Sequence, residues 1–379
     1  MKIAHFSDTH LGFAAYDAAD PASGVNRREL DFYGAFLRAI DGILEARPDA
    51  VIHAGDLYDS VRPANRAIAV CMEGFAKLSR AGIPAVVVAG NHEAPRIRTT
   101  GSILRALGAL PHVFPVFDAE YRAIDLGRLV VHGVSDAPSD AELEASLAKV
   151  KAVPGKLNVL AAHGGLRRES GQIESGEYNE HLFPPELLGG LSDLDYIALG
   201  HYHRHMQVTP NAWYCGSTER TSFSQASYTP GFVIVELPGG APKHHAIEVR
   251  AMQSFPTIDA RGLAARDVLD AIARTLRSEK LDGILGRIIV ENLSSSARDG
   301  LDPKALRELT QAGMHFEWDF RIRDEERRTA SAGLAIRPLE KEFEEFMKEA
   351  KIDGGRKRML ELGLDYLARV RAEEEPHED

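Results

Sequence analysis

Several apolar segments of this sequence are followed directly by residues whose side chains can bind metal ions. Each segment has the composition of a strand, and the residues after it are aspartate, asparagine or histidine. The set comprises Asp8, His10, Asp56, Asn91, His92, His163, His201 and His203. Carboxylate, amide and imidazole ligands together suit Mn, Fe, Zn or Co better than Ca.

The periodicity of the apolar residues predicts that these side chains meet. Apolar runs at residues 2–7, 49–54 and 83–88 predict buried strands, and amphipathic runs at 29–45 and 63–81 predict the helices between them. Parallel strands of this kind bring their carboxyl ends to one edge of the sheet, where α/β proteins bind ligands. Further strands are predicted at 128–133, 158–162, 196–199, 231–237 and 246–250.

A set of this size predicts two metal ions rather than one. Two ions that share a bridging carboxylate, about 3.5–4 Å apart, stabilise the attacking and leaving oxygens of a phosphoryl displacement. Taken singly, a strand-end aspartate is as often a turn or helix-capping residue, and one His-x-His pair is weak evidence. The ordered set has no comparable structural explanation. His5, His53 and His132 lie within apolar strands, and we expect them to belong to the core or to lie behind the ligands.

Composition and length exclude several classes of protein. The chain has 379 residues, of which 44% are hydrophobic, and this predicts packed domains rather than disorder. It has no apolar run of about 18 residues and no signal-peptide pattern, so we expect no membrane association. Its two cysteines predict a cytoplasmic location. The net charge of −11 argues weakly against broad nucleic-acid binding, although a binding face is local.

The series D-x-H, G-D, G-N-H-E, H-G and G-H-x-H resembles the motifs of the calcineurin-like metallophosphoesterase superfamily. Within it, DTHLG and GDLYDSVRP resemble the Mre11/SbcD DNA-repair nucleases, over roughly residues 1–240. The resemblance implies an α/β fold with a two-sheet β-sandwich flanked by helices. We place this metallophosphoesterase (nuclease) domain at 1–256, a smaller α+β capping domain at 257–328, and a C-terminal helical region, a candidate ATPase-binding segment, at 329–379.

The resemblance also implies a role for each residue of the set. Asp8, His10 and His203 would hold one ion, Asn91, His163 and His201 the other, and Asp56 would bridge them. His92 would orient the scissile phosphate or protonate the leaving oxygen. We expect two divalent cations, Mn²⁺ first, with Mg²⁺, Fe²⁺, Zn²⁺ and Co²⁺ as alternatives. Some members carry a histidine three positions after the bridging aspartate, thought to help orient DNA; this sequence has Asp59 there.

Arginines follow each of the motifs. They stand at 27 and 28, 62 and 66, 96 and 98, 167 and 168, and 204 and 220. A ring of arginine suits a phosphate backbone, although an arginine-rich composition also scatters this residue into loops. Arg62, Arg96 and Arg98 are the candidates for nucleic-acid contacts.

The expected function is that of a metal-dependent DNA exonuclease or endonuclease in double-strand break repair and recombination. The resemblance implies a homodimer, formed through about 64–81 and 100–108, and a Rad50/SbcC-type ABC ATPase as partner. Apolar stripes at 339–347 and 358–371 would bind that ATPase, or would pack on their own domain. The alternative function is a stand-alone phosphodiesterase or phosphatase acting on small nucleotides or other phosphoesters, which needs neither cap nor partner helices.

Overall fold

The computed structural model describes residues 1–95, 100–166, 181–183, 185–277, 279–323, 339–349 and 356–374. The chain groups into two compact units. Unit 1 comprises Met1–Pro256, Arg274–Ile288 and Lys304–Trp318, and unit 2 comprises Thr257–Ala273, Ile289–Pro303 and Asp319–Asp379. Segments of 257–328 therefore fall in both units, and the division into three domains stays a prediction.

The first six-stranded sheet of unit 1 contains the three strands predicted at the start of the chain. Its strand order is β14 (Lys243–Ala246), β13 (Gly231–Glu236), β1 (Lys2–Phe6), β2 (Ala50–Ala54), β3 (Ala85–Val88) and β4 (Val113–Val116). Strands β1 to β4 are parallel, and β13 runs antiparallel to both β1 and β14. Helix α1 (Arg27–Ala46) connects β1 to β2, and α2 (Asn65–Arg80) connects β2 to β3.

The second six-stranded sheet provides the other half of unit 1. Its order is β11 (Met206–Thr209), β12 (Ala212–Tyr214), β10 (Tyr196–Gly200), β7 (Leu157–His163), β6 (Leu129–Val134) and β5 (Tyr121–Asp125). The four central strands are parallel, and the edge strands β5 and β11 are antiparallel to their neighbours. Helices α3 (Asp140–Leu147) and α4 (Pro185–Gly189) and a small pair of strands, β8 (Gly165–Leu166) and β9 (Leu182–Phe183), belong to the same half.

Alternation of side chains along the strands builds a separate core on each face of the first sheet. In β1, Ala4 and Phe6 pack with the apolar residues of α1 and α2. Ile3 packs on the opposite face, with residues of the second sheet such as Val131 and Val159. The central strands of both sheets are thus buried on both sides, which explains their near-continuous apolar sequences. The two-sheet sandwich flanked by helices is confirmed.

The remaining elements follow residue 250. In unit 1, β15 (Met252–Ser254) pairs in parallel with the first residues of β17 (Leu285–Leu293); in unit 2, β16 (Ile258–Asp259) pairs with its later residues. The other elements are β18 (His315–Ile322), α5 (Ala265–Leu276), α6 (Ser295–Asp299), α7 (Pro303–Thr310), α8 (Leu339–Glu349) and α9 (Arg356–Glu374), with 3₁₀ helices at Ile103–Ala109 and Phe223–Gln225. In the parts of the chain that the structure describes, none of the helices combines the length and apolarity needed to span a bilayer.

The strand predicted at 246–250 lies a few residues earlier in the structure. The strand there is Lys243–Ala246, which pairs with β13 at the edge of the first sheet. Its side chains are half-buried or exposed, so an edge strand of this kind lacks the apolar run that marks a buried one.

Two buried histidines of the first sheet contribute a pH dependence to the stability of the fold. Burial lowers the pKa of His5 to about 3 and that of His53 also to about 3. His5 Nδ1 lies 3.0 Å from the hydroxyl of Tyr196, a contact that joins the two sheets. Between pH 6.5 and about 3, each of these histidines is therefore protonated in the unfolded chain but neutral in the folded chain.

We expect the contribution of these two histidines to the free energy of unfolding to fall as the pH falls from 6.5, by up to about 1.4 kcal/mol per pH unit for each histidine. His5→Asn keeps a polar group near Tyr196 but does not titrate. It should therefore remove the contribution of one histidine from the slope of unfolding free energy against pH. The slope is measured by urea denaturation between pH 7 and pH 5. The control is His112→Asn, at an exposed histidine; an unchanged slope in His5→Asn would contradict the assignment.

Candidate metal centre

The loops that follow β1 and β2 run side by side and are fixed by backbone hydrogen bonds. Asp8 N donates to Gly55 O at 3.0 Å, and Thr9 N and His10 N both donate to Asp56 O, at 2.9 and 3.1 Å. The carboxyl ends of the two strands therefore hold Asp8, His10 and Asp56 in one place before any ligand is considered.

Four residues of the set have positive φ angles, a conformation that is uncommon outside glycine. The angles are 52° at Asp8, 40° at His10, 52° at Asp56 and 117° at His201. Residues held in sparsely populated backbone regions cluster at functional sites, where the surrounding structure maintains them. Here the hydrogen-bonded strand ends maintain them, and the side chains turn inward: all four are at least 96% buried.

The first group of donor atoms belongs to Asp8, His10 and His203. One ligand atom from each lies within 4.8 Å of the others, and His10 Nε2 is 3.0 Å from His203 Nε2. Backbone and side-chain contacts orient the members. His201 N donates to Asp8 Oδ1 at 2.9 Å, and His203 Nδ1 lies 3.2 Å from Oε1 of Gln225.

The second group of donor atoms belongs to Asp56, His163 and His201, which meet the same 4.8 Å criterion. His163 Nε2 lies 3.2 Å from Asp56 Oδ2 and 3.0 Å from Asn91 Oδ1. Its other ring nitrogen, Nδ1, donates to Ala54 O at 2.8 Å, so Nε2 is the atom presented to the centre. Asn91 therefore joins the second group through His163.

Asp56 lies between the two groups. Its Oδ2 is 3.2 Å from His163 Nε2 in one group and 3.9 Å from His10 Nε2 in the other. Its Oδ1 accepts from the backbone N of His92 at 3.1 Å, and His92 Nε2 is 4.0 Å from Oδ2. All eight residues predicted from the sequence, His92 among them, are thus brought together.

The electrostatics of the centre follow from a carboxylate buried among imidazoles. Burial alone would raise the pKa of Asp56, but His163, His92 and His10 together outweigh it and hold the pKa well below its ordinary value. Burial would lower the pKa of His163, but Asp56 raises it to about 10. The pair thus binds a proton tightly, at the place where a cation would replace it.

Reasoning from the sequence missed several residues that orient the centre. Glu93 is completely buried, and its Oε1 accepts from Leu57 N at 3.2 Å and Gly90 N at 3.0 Å, which ties the loops after β2 and β3 together. Burial, followed by repulsion from Asp56, raises the pKa of Glu93 to about 7. Ser7 donates to Asp8 Oδ2. The acidic residue of G-N-H-E was a signal for Glu93; nothing in the sequence points to Gln225.

The donor set fits divalent metal ions. Two groups of buried oxygen and imidazole-nitrogen atoms lie on either side of one carboxylate, and this mixture suits the first-row transition metals. Acceptors behind the ligands fit a metal site as well. Ala54 O lies next to His163 Nδ1 and Gln225 Oε1 next to His203 Nδ1, so each ring is oriented with its Nε2 toward the centre.

Comparison with known proteins gives a family for this arrangement. The model of the family described as calcineurin-like phosphoesterase matches residues 1–205, which include all eight residues of the centre. The chain belongs to the calcineurin-like phosphoesterase family. The centre described above therefore stands at the place where this phosphoesterase, as a member of that family, is expected to bind two divalent ions.

Relatives of this phosphoesterase confirm the narrower resemblance found from the sequence. It is 28% identical to the DNA double-strand break repair protein Mre11 of Methanococcus maripaludis over 398 aligned residues, 98% of each chain. It is 31% identical over 207 residues to the protein of the same name from Sulfurisphaera tokodaii, which covers 53% of this chain and 49% of that one. A third Mre11 protein, from Methanocaldococcus jannaschii, is 42% identical over 96 residues, about a quarter of each chain.

The arginines expected around the centre of this phosphoesterase have different surroundings. Arg28 is 1% exposed and donates to Asp31 Oδ2 at 2.8 Å and to Arg220 O at 2.6 Å. Arg220 donates to Tyr228 O at 3.0 Å. These two arginines stabilise the fold rather than face a substrate. Arg62 is exposed, whereas Arg96, Arg98, Arg167 and Arg168 lie outside the described residues.

The two sheets of this phosphoesterase lie in close contact at Gly200, next to His201. A Cβ at Gly200 would overlap the carbonyl oxygen of Ala54 and lie 2.8 Å from the Cβ of Ser7. Gly200→Ala should therefore lower the free energy of unfolding by about 1–3 kcal/mol and weaken binding of divalent cations, because His201 moves. Urea denaturation and calorimetric titration measure the two effects. Gly189→Ala is the control, since nothing lies within 4 Å of its Cβ; equal stability of the two variants would contradict this packing.

Proposed function

We propose that this chain is a metal-dependent nuclease that hydrolyses DNA phosphodiester bonds in double-strand break repair. The observation that carries the proposal is the pair of donor groups on either side of Asp56, in a chain that is similar over 98% of its length to an Mre11 protein. Family membership alone supports a phosphoesterase, and the full-length similarity supports DNA as the substrate.

The proposed chemistry divides among the residues of the centre. When bound, two divalent ions, Mn²⁺ in our proposal, supply Lewis acidity and a nucleophilic water near neutral pH. Asp8, His10 and His203 would hold one ion, and Asn91, His163 and His201 the other, with Asp56 in contact with both. His92 is 31% exposed and can therefore reach the substrate. We assign to it the proton that the leaving oxygen needs.

A polar cavity beside the centre supports a substrate with a phosphate backbone. Its volume is 530 Å³, in the range of sites for ligands of nucleotide size. The side chains around it are mainly hydrogen-bonding groups, and Arg204, which is exposed, adds positive charge. The lining residues are His201, Tyr202, His203, Arg204, Met206, Thr221, Ser222, Ser224, Gln225 and Tyr228. We add Arg62 as a contact for DNA beyond this cavity.

The proposal is tested with Mn²⁺, Mg²⁺ or no metal, on end-labelled double-stranded DNA, single-stranded DNA and bis-p-nitrophenyl phosphate. We expect Mn²⁺-dependent degradation of DNA. Asp56→Asn should lose activity and weaken metal binding, whereas His92→Ala should keep the ions and lower turnover by about 10²–10⁴-fold. Asp41→Asn, at an exposed ion pair with Lys77, is the control. Rapid turnover of the small diester with DNA left intact would instead favour the stand-alone phosphodiesterase.

The C-terminal helices support a protein partner. In unit 2, Met347 is 4% exposed, and the ring of Phe343 occupies the space beside Gly363, so α8 and α9 pack on each other. Other apolar side chains of the two helices remain 48–67% exposed. They are Leu339, Phe346, Met359, Leu362 and Tyr366. We propose that they bind a Rad50/SbcC-type ATPase.

Leu362→Glu should weaken binding to the Rad50/SbcC-type ATPase of the same organism at least tenfold, because one buried apolar side chain contributes about 1.5–3 kcal/mol. Hydrolysis of bis-p-nitrophenyl phosphate by the chain alone should not change. Binding is measured by calorimetry, with Glu361→Gln, at the exposed neighbour on the same helix, as the control. Equal affinities of the two variants would refute this surface.

The proposal also includes a homodimer and a cytoplasmic location. Of the apolar residues in the expected dimer segments, Leu104 and Leu107 belong to the core of their own chain. A dimer would therefore use the partly buried Ile68, Met72 and Ile103 instead. Both cysteines are buried free thiols, which supports a reducing compartment.

A further inference from the structure

Asp59 stands three positions after Asp56, where the sequence departs from the relatives that carry histidine. Its carboxylate lies beside two histidines of the metal centre. Asp59 Oδ1 is 3.4 Å from His10 Nδ1 and 3.9 Å from His92 Nδ1. The rings of His10 and His92 meet edge to face, with centroids 4.7 Å apart. One acidic residue therefore contacts both a proposed metal ligand and the proposed proton donor.

The backbone fixes Asp59 in this place. Asp59 N donates to Leu11 O at 3.2 Å, and Leu11 N donates to Leu57 O at 2.9 Å, so the segment after His10 pairs with the segment that leads to Asp59. The carbonyl oxygen of Asp59 accepts from His92 Nδ1 at 3.1 Å. A residue anchored at its amide and its carbonyl directs its side chain reproducibly.

The two nitrogens of His10 have separate surroundings. Nε2 faces the first group of donor atoms, 3.0 Å from His203 Nε2. Nδ1 is buried and makes no hydrogen bond of good geometry among the described residues, and the carboxylate of Asp59 is 3.4 Å away. A histidine that binds a metal through Nε2 carries its hydrogen on Nδ1, and the acceptor of that hydrogen sets the orientation of the ring.

We propose that Asp59 is a positioning residue of the metal centre. Its carboxylate accepts the Nδ1 hydrogen of His10, and its backbone carbonyl accepts that of His92, so both rings direct Nε2 toward Asp56. Asp59 itself touches neither substrate nor ion. At 33% exposure its carboxylate needs only a small movement to close the 3.4 Å contact with His10. The inference rests on the two-ion centre of the proposed function, and it adds a residue that this function does not require.

The test begins with calorimetric titration of the metal-free chain with Mn²⁺. The wild type should bind two ions. Asp59→Asn and Asp59→Ala should each also bind two ions. In each variant, one of the two ions should bind about 10–100-fold more weakly, which is the usual effect of losing the acceptor behind a ligating histidine. Asp59→Glu should recover part of the affinity. Asp118→Asn is the matched control, since Asp118 is exposed, ion-paired to Arg105 and has a positive φ that asparagine tolerates.

A kinetic measurement separates positioning from a structural effect. At saturating Mn²⁺, Asp59→Ala should lower kcat for bis-p-nitrophenyl phosphate at least tenfold and leave KM within about twofold. The backbone carbonyl of residue 59 still holds His92 in this variant, whereas His10 has lost the carboxylate that orients its ring. Thermal denaturation should give the same midpoint as Asp118→Asn. A large fall in that midpoint, with metal affinity recovering under stabilising conditions, would assign Asp59 a merely structural role and overturn the proposal.

Other outcomes overturn it in different ways. Wild-type affinity and kcat in Asp59→Ala would show that the two histidines are oriented without it. Three ions in the wild type and two in Asp59→Ala would make Asp59 a ligand, together with His10 and His92, whose donor atoms lie within 4.8 Å of its own. If the wild type binds two ions but hydrolyses no phosphodiester, the proposed function fails, and the titrations still decide the role of Asp59.

Discussion

A carboxylate buried among histidines loses its hydration, and Asp56 compensates through contacts with three separate loops. Its backbone oxygen accepts from Thr9 and His10, its Oδ1 accepts from the amide of His92, and its Oδ2 faces His163. These contacts join the ends of β1, β2, β3 and β7. Because a buried charge without such partners is strongly destabilising, the same contacts that stabilise Asp56 also bring the other side chains of the centre to their places.

The central strands could be predicted from the sequence because burial on both faces gives them nearly continuous apolar runs. Strands β1, β2 and β3 lie within a residue or two of the predicted ranges. The edge strands carry a weaker signal. Only one of the five residues of β5 is buried, and β14 contains two histidines and a lysine. Nothing local distinguishes such segments from loops, and their pairing is decided by the neighbouring strand.

The residues of the metal centre divide in a similar way. That the eight side chains meet could be predicted because they follow the buried strands closely, whereas their role as ligands stays a prediction. The residues behind them could not be predicted, since Gln225 reaches His203 from 22 positions away and Arg28 reaches Arg220 across 192. Such contacts depend on tertiary structure. Sequence spacing therefore predicted which side chains meet. Their orientation, and the finding that Arg28 is a buried structural group rather than a phosphate contact, required coordinates.

The positive φ angles at Asp8 and Asp56 have a consequence for how this family can diverge. Asparagine adopts the left-handed conformation as readily as aspartate does, and better than most other residues. A single-nucleotide change from an aspartate codon to an asparagine codon would thus remove a charge from the centre while the backbone kept its shape. One substitution of this kind would separate the fold of the sandwich from the charge that its centre provides.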